Sequence, residues 1–215
     1  FCGVREVRVY DGDTLLQTIP ASEGILQDHA WSGEMAEYTE CWSEEETMEV
    51  LDLNFDGSTD FGLFGWVCNN NIPFHYWTWD DAAGKYRYAC TLQGAETHPE
   101  FGEITAGYKS GWGQWYTDCY CPDENGELFL VRREIELWDQ SGDSDRSSVE
   151  IWEPQEGVRI RPRPFQGEES GLTLVRREVP GLEVRNGRVI SRFTEIWELR
   201  DGELQLTGVE EYPEE

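Results

Sequence analysis

Four carboxylate or amide side chains fall at odd positions of one nine-residue stretch: Asp52, Asn54, Asp56 and Asp60 stand at positions 1, 3, 5 and 9. A hard cation such as Ca²⁺ takes six to eight oxygen ligands at about 2.3–2.6 Å, and a loop with this spacing can wrap one. Ser58, at position 7, would add its backbone carbonyl, and Gly57, at position 6, would allow the sharp turn that points the others inward. The spacing predicts a structural Ca²⁺ held by Asp52, Asn54, Asp56, Ser58 and Asp60. The competing reading is a solvated acidic turn. Position 12, the bidentate Glu of an EF-hand, is Leu63 here, so a helix–loop–helix site is not expected.

A second stretch has binding rather than ligating chemistry. Tyr108-Lys109-Ser110-Gly111-Trp112-Gly113-Gln114-Trp115-Tyr116 sets aromatic rings in a glycine-rich backbone. Trp and Tyr bring large contact area at low entropic cost, and their faces also stack on sugars. Tyr108, Ser110, Gly111, Trp112, Trp115 and Tyr116 are therefore the candidate partner-binding residues, with Trp112, between two glycines, the one expected to be exposed. The plainer reading is that Trp112, Trp115 and Tyr116 fill the core.

Catalytic signatures are absent from the sequence. There is no G-x-S-x-G elbow, no H-E-x-x-H and no phosphate-binding glycine loop. With 44 acidic residues, a pair of carboxylates at glycosidase spacing is the one catalytic arrangement left open. Net charge is −27, which argues against binding nucleic acid phosphates by charge and favours cations and basic proteins. The excess is uneven: residues 1–128 hold 24 acidic and 5 basic side chains, residues 129–215 hold 20 and 12.

The elements around these stretches read as strands. Met48 to Leu53 and Phe61 to Val67 flank the acidic loop with β-branched and aromatic residues and no helical period. Asp11-Gly12, Asn125-Gly126, Asn186-Gly187 and Asp201-Gly202 mark hairpins. Asp80 to Gly84 reads as a turn between Phe74–Trp79 and Lys85–Cys90, and residues 93–106 as a surface loop. An echo runs through the last third. Leu130-Val131-Arg132-Arg133-Glu134 recurs as Leu174 to Glu178, and Glu150-Ile151-Trp152-Glu153 recurs as Glu195 to Glu198, 44 and 45 residues on. A weaker third copy is Glu136-Leu137-Trp138. That period is the size of a four-stranded propeller blade. The arginine pairs split to opposite faces of their strands, where cross-strand ion pairs are expected. The expected fold is one all-β domain over residues 1–215, of antiparallel hairpins with β-propeller-like closure, with the calcium-loop region at 48–132 and further hairpins over 133–215. The tail from Glu210 is expected to fray.

Six cysteines, at 2, 41, 68, 90, 119 and 121, suggest three disulfides and an oxidising, extracytoplasmic compartment. Three scattered histidines and no C-x₂-C pair argue against zinc. No apolar run approaches the roughly 20 residues that span a bilayer. The chain starts Phe1-Cys2-Gly3 without a leader, as a mature exported form would. Cys2 reads as a disulfide half, with a former lipid anchor as the alternative.

The order of these features carries a resemblance. Asp52-x-Asn54-Phe55-Asp56-Gly57-x-x-Asp60 leads into Phe61-Gly62-Leu63. The Tyr76-Trp77 strand, Asp81-Ala82-Ala83-Gly84-Lys85-Tyr86, Ser110-Gly111 and Gly126-Glu127-Leu128 follow. Over about residues 48–132 this resembles the calcium-binding periplasmic immunity proteins that neutralise secreted peptidoglycan hydrolases. Those are similar to the periplasmic inhibitors of invertebrate-type lysozyme. The resemblance implies a propeller-like or closed antiparallel fold, one structural Ca²⁺, export, and a loop that plugs the target's cleft. The inhibitors' Ser-Gly-x-Tyr element is altered here: Trp112 and Gly113 follow Ser110-Gly111, and the next tyrosine is Tyr116. The function expected is a non-catalytic, calcium-binding inhibitor of a basic, lysozyme-like hydrolase. A glycan- or protein-binding surface module is the first alternative and a carboxylate-based hydrolase the second.

Overall fold

In a computed structural model of the chain, the described residues are 2–23, 39–41, 47–65, 71–110, 113–138, 147–162, 171–185 and 188–213. They form sixteen strands. The first eight are β1 (Cys2–Val4), β2 (Glu6–Asp11), β3 (Thr14–Pro20), β4 (Thr39–Cys41), β5 (Met48–Leu51), β6 (Asp60–Phe64), β7 (Pro73–Asp80) and β8 (Lys85–Gln93). The rest are β9 (Ala95–His98), β10 (Glu103–Lys109), β11 (Gln114–Pro122), β12 (Leu128–Leu137), β13 (Ser148–Pro154), β14 (Leu172–Arg185), β15 (Arg188–Arg200) and β16 (Glu203–Pro213). No helix among the described residues is long and apolar enough to cross a membrane.

The sheets are open. Two two-stranded sheets, β1–β4 and β2–β3, accompany a four-stranded sheet in the order β5-β6-β7-β8 and an eight-stranded sheet in the order β16-β15-β14-β13-β12-β11-β10-β9. The propeller-like closure expected from the repeat is therefore corrected. The all-β, antiparallel part of the expectation stands, but no sheet among the described residues closes on itself. The pairing supplies the reason. β12 and β13 pair with Arg133 opposite Trp152 and Ile135 opposite Glu150. β14 and β15 repeat this register, with Arg177 opposite Trp197 and Val179 opposite Glu195. The echo is one hairpin used twice, and the second copy pairs with the first through β13 and β14. Backbone hydrogen bonding at an edge extends a sheet in a line, whereas a blade must bury a face against the next blade.

The chain divides into two compact units. One comprises residues 1–108, 119–129 and 161–166, the other 109–118, 130–160 and 167–215. In the first, hairpin β2–β3 packs on the four-stranded sheet. Ile19, Ala21, Phe61, Leu63 and Trp77 form a buried cluster, joined by Val4, Val7, Val9, Tyr86 and Tyr88. Strand alternation explains the set: Phe61 and Leu63 share one face of β6, and Trp77 lies opposite Phe61. Asp11-Gly12 turns β2 into β3 as expected, with Gly12 at φ +55°. Residues 93–106 are not a surface loop but β9 and β10, joined by a turn at Pro99–Gly102.

In the second unit, β13 to β16 form a sheet whose described side chains are mostly half-buried or exposed on both faces. Asp201 and Gly202, at φ +55° and +83°, make the β15–β16 turn. Glu210 to Pro213, expected to fray, continue β16 opposite Thr194 to Ser191. Asn186-Gly187 lies outside the described residues.

The three disulfides expected are not found among the described residues. No disulfide joins Cys90, Cys119 and Cys121, the cysteines whose side chains are described. Cys119 and Cys121 lie on one face of β11, about two residue rises apart with parallel Cβ vectors, which is unsuited to a bridge. Cys90 lies in β8 of the other large sheet. Cys2 and Cys41 are register partners across β1 and β4, and Cys68 lies outside the described residues.

Candidate functional site

The acidic loop connects β5 to β6 and is closed by its own backbone amides. Asp52 accepts from the amides of Asp56 (3.1 Å) and Gly57 (3.0 Å). Asn54 Oδ1 accepts from the Asp56 amide (3.3 Å) and Asn54 Nδ2 donates to Asp56 Oδ2 (2.9 Å). Asp56 Oδ1 accepts from the Ser58 amide (2.7 Å). Phe55 and Gly57 have positive φ, +58° and +86°, which lets successive amides turn inward. Asp60 is fully buried at the start of β6 and spans two elements: it accepts from the Leu53 amide (2.9 Å) and the Trp79 amide (2.8 Å).

Burial raises the Asp60 carboxyl to about 6, against the two amide hydrogen bonds that favour its charge, and the Asp56 and Asp52 charges add to the rise. Asp56 is also raised by burial, but the Ser58 amide and Asn54 outweigh that and hold it below the usual carboxylate range. The loop residues thus come together as the spacing predicts. The calcium centre does not follow: no group of three or more His, Cys, Asp or Glu side chains among the described residues is placed to hold a metal ion. The carboxylates that the spacing assigns to an ion are aimed at amides, and Asp60 ties the loop to β7. The expectation of a metal-binding, calcium-binding loop is corrected to that of an amide-filled acidic turn.

The aromatic stretch divides in two. Tyr108 and Tyr116 are buried, so the plainer reading holds for them. The ring of Tyr116 lies under the Arg133 guanidinium (5.6 Å). That guanidinium is bidentate on Asp118, Nε to Oδ1 at 2.6 Å and Nη2 to Oδ2 at 2.7 Å, with both side chains 3% exposed. Alternation along β11 puts Asp118 on the same inward face as Tyr116 and Tyr120, and Arg133 neutralises it there. Gly111 and Trp112 lie outside the described residues. The Ser110 amide donates to the Gln114 carbonyl (3.1 Å), closing the base of the turn.

Trp115 is 38% exposed, on the opposite face of β11 from Tyr116. It stands beside Trp138, 50% exposed, with ring centroids 6.4 Å apart and planes at 37°. Lys109 Nζ lies 5.5 Å from the Trp115 ring. The Trp138 amide donates to the Gly113 carbonyl (2.8 Å), which fixes the end of β12 against the turn. The result is an exposed aromatic pair with one cation. Trp115 was legible as a candidate. Trp138 was visible only as the end of the third, weaker repeat copy, and Lys109 only as a loop residue.

No family model matches the chain, and no curated protein matches it. Among solved structures it is similar to a protein of unknown function from Bacteroides fragilis, 10% identical, over 74% of this chain and 95% of that one, with a TM-score of 0.36. A likeness of that degree carries no argument about fold or function.

Proposed function

We propose that this chain is a non-catalytic recognition protein acting outside the cytoplasm, and that its partner is a cationic peptidoglycan hydrolase of the lysozyme kind. The observation that carries the proposal is the exposed Trp115–Trp138 pair beside the Ser110–Gln114 turn. Exposed tryptophans set on strand ends are rigid and lose little entropy on docking, which is the character of interface hot spots. The chain's net charge of −27 favours a basic partner and speeds their encounter. The test is lysis of peptidoglycan by a panel of lysozymes with and without the protein. Stoichiometric inhibition of a member is expected, weakening as salt rises and lost on Trp115→Ala. Undiminished lysis by every member overturns the proposal.

A second reading is a glycan-binding module, favoured by the two adjacent indole faces. Binding of peptidoglycan fragments would then be insensitive to salt and lost on either Trp115→Ala or Trp138→Ala.

A further inference from the structure

The repeated hairpin ends on an edge that its first copy uses for pairing. In the first copy, β13 pairs with β14 through a bulge at the Ile151–Trp152 step: Ile151 faces Arg176, Trp152 faces Leu174, and Val175 is the extra residue. In the second, β15 pairs with β16 through a bulge at the matching Ile196–Trp197 step: Ile196 faces Gly208, Trp197 faces Leu206, and Thr207 is the extra residue. β16 is thus to β15 what β14 is to β13. The other edge of β14 is filled by β15. Among the described residues, the corresponding edge of β16 ends the sheet.

The same correspondence shows where charge is lacking. Arg176 and Arg177 of β14 correspond to Gly208 and Val209 of β16. In the first copy Arg177 pairs with Glu150 (Nε to Oε1, 2.8 Å) and Arg176 with Glu178 (2.8 Å). In the second copy the carboxylates remain, as Glu195 and Glu210, and both arginines are gone. Glu195 accepts the Trp197 indole N–H (3.2 Å) and Glu210 the Tyr212 hydroxyl (2.6 Å). β16 has Glu203, Glu210 and Glu211 and no basic residue. Between and beside these acids Leu206, Val209 and Tyr212 are 48%, 50% and 51% exposed. Edge strands that avoid pairing are blunted by charges without an apolar stripe, whereas this one offers both.

We infer that the outer edge of β16 takes an extended, cationic segment of another protein as the next strand of the sheet. Its backbone would pair with the edge, its apolar residues would cover Leu206 and Val209, and its lysines or arginines would pair with Glu203, Glu210 and Glu211 across the new strand pair. A second copy of this chain does not fit. Antiparallel pairing centred on the Leu206–Thr207 step or on Thr207 sets Glu203 against Glu210 or Glu211, parallel pairing sets each acid near its own copy, and in every register the two edges bring six carboxylates together with no basic residue of β16 among them. The inference is independent of the tryptophan pair.

The experiment uses the whole chain and a short synthetic peptide of alternating lysine and valine, with an alternating glutamate and valine peptide as control. The lysine peptide is expected to bind, to slow amide exchange in β16, and to lose about tenfold or more in affinity between ~0.05 M and ~0.5 M salt. Val209→Pro, which removes an edge amide, and the exposed charge reversal of Glu203, Glu210 and Glu211 to Lys should each weaken it by about tenfold or more. The charge reversal is confined to exposed side chains, so it tests the inference if the proline variant fails to fold. Absence of protection in β16, equal binding of both peptides, or binding unchanged by the charge reversal overturns the inference. So does a concentration-dependent dimer in sedimentation that the charge reversal abolishes, which would assign the edge to a second copy.

Discussion

Trp77 and Trp197 each sit on an interior strand of a sheet, yet their surroundings have little in common. Trp77, in β7, is fully buried, stacked on Phe61 with centroids 5.2 Å apart and planes at 9°, and met edge-on by Tyr88 at 5.6 Å. Trp197, in β15, is half-buried, and its indole N–H goes to Glu195 two residues away on its own strand. The first belongs to a sheet with a hairpin over one face, the second to the β13–β16 stretch, whose described side chains are mostly half-buried or exposed. A covered sheet is held by burying apolar area. An open one has less of that and relies on cross-strand pairs, ion pairs and aromatic cover, each a fraction of a kcal/mol. Phe193 shows such cover: its ring lies so close over Gly181 on the neighbouring strand that a Cβ there would meet it at 2.2 Å. The ring of a neighbouring residue thus covers a glycine within the sheet itself.

The repeat makes the contrast testable, since Arg133 and Arg177 occupy matching positions. Arg133→Ala leaves Asp118 buried without its cation and is expected to cost about 3–5 kcal/mol in urea unfolding. A cost below about 1 kcal/mol would show that the buried pair is not what separates the two copies. Next in size, Leu63→Ala in the covered sheet should cost about 2–5 kcal/mol, whereas Leu206→Ala on β16 should stay within about 0.5 kcal/mol. Equal costs would mean that the outer sheet is covered in solution.

A pH effect follows from Glu49, which faces Tyr76 across the covered sheet. Burial raises the Glu49 carboxyl above its usual value, and the Tyr76 hydroxyl, which donates to it, lowers it only in part. A carboxyl raised in the folded state binds its proton more tightly there than when unfolded. Its stabilising contribution is whole below the unfolded value and is lost as pH rises through the folded one. Glu49→Gln keeps an acceptor for Tyr76 and removes the titration. The variant should melt higher than the parent at pH 7, with the gap closing towards pH 4. A gap that widens on acidification would reverse the assignment. A small effect is also expected of Arg177→Ala. Its pair with Glu150 is 41% and 11% exposed, and the loss should be below about 1 kcal/mol and shrink with salt.

Much of the local structure was legible because its signals are short-range. Asp-Gly and Asn-Gly steps mark turns that need positive φ, and Gly12, Gly126 and Gly202 have it. The strands flanking the acidic loop followed from composition, and the repeat followed from residue identity. What misled were patterns that several structures share. Oxygens at positions 1, 3, 5 and 9 suit a cation, but they suit the loop's own amides equally, and their direction depends on Phe55, Gly57 and the distant amide of Trp79. Residues 93–106 looked like a loop because Pro99 and two glycines are turn residues, and the short strands on either side are revealed only by their pairing with each other.

The sequence by itself determined that this chain is built of antiparallel hairpins, where most of them turn, and that one hairpin recurs. Alternation and turn chemistry act over a few residues and need no knowledge of the rest. Only the tertiary structure decided which faces are covered, that the repeat extends a sheet instead of closing one, and that Asp118 finds Arg133 while Trp115 finds Trp138. Those outcomes depend on which strands become neighbours, and edge hydrogen bonds between backbones are blind to side-chain identity.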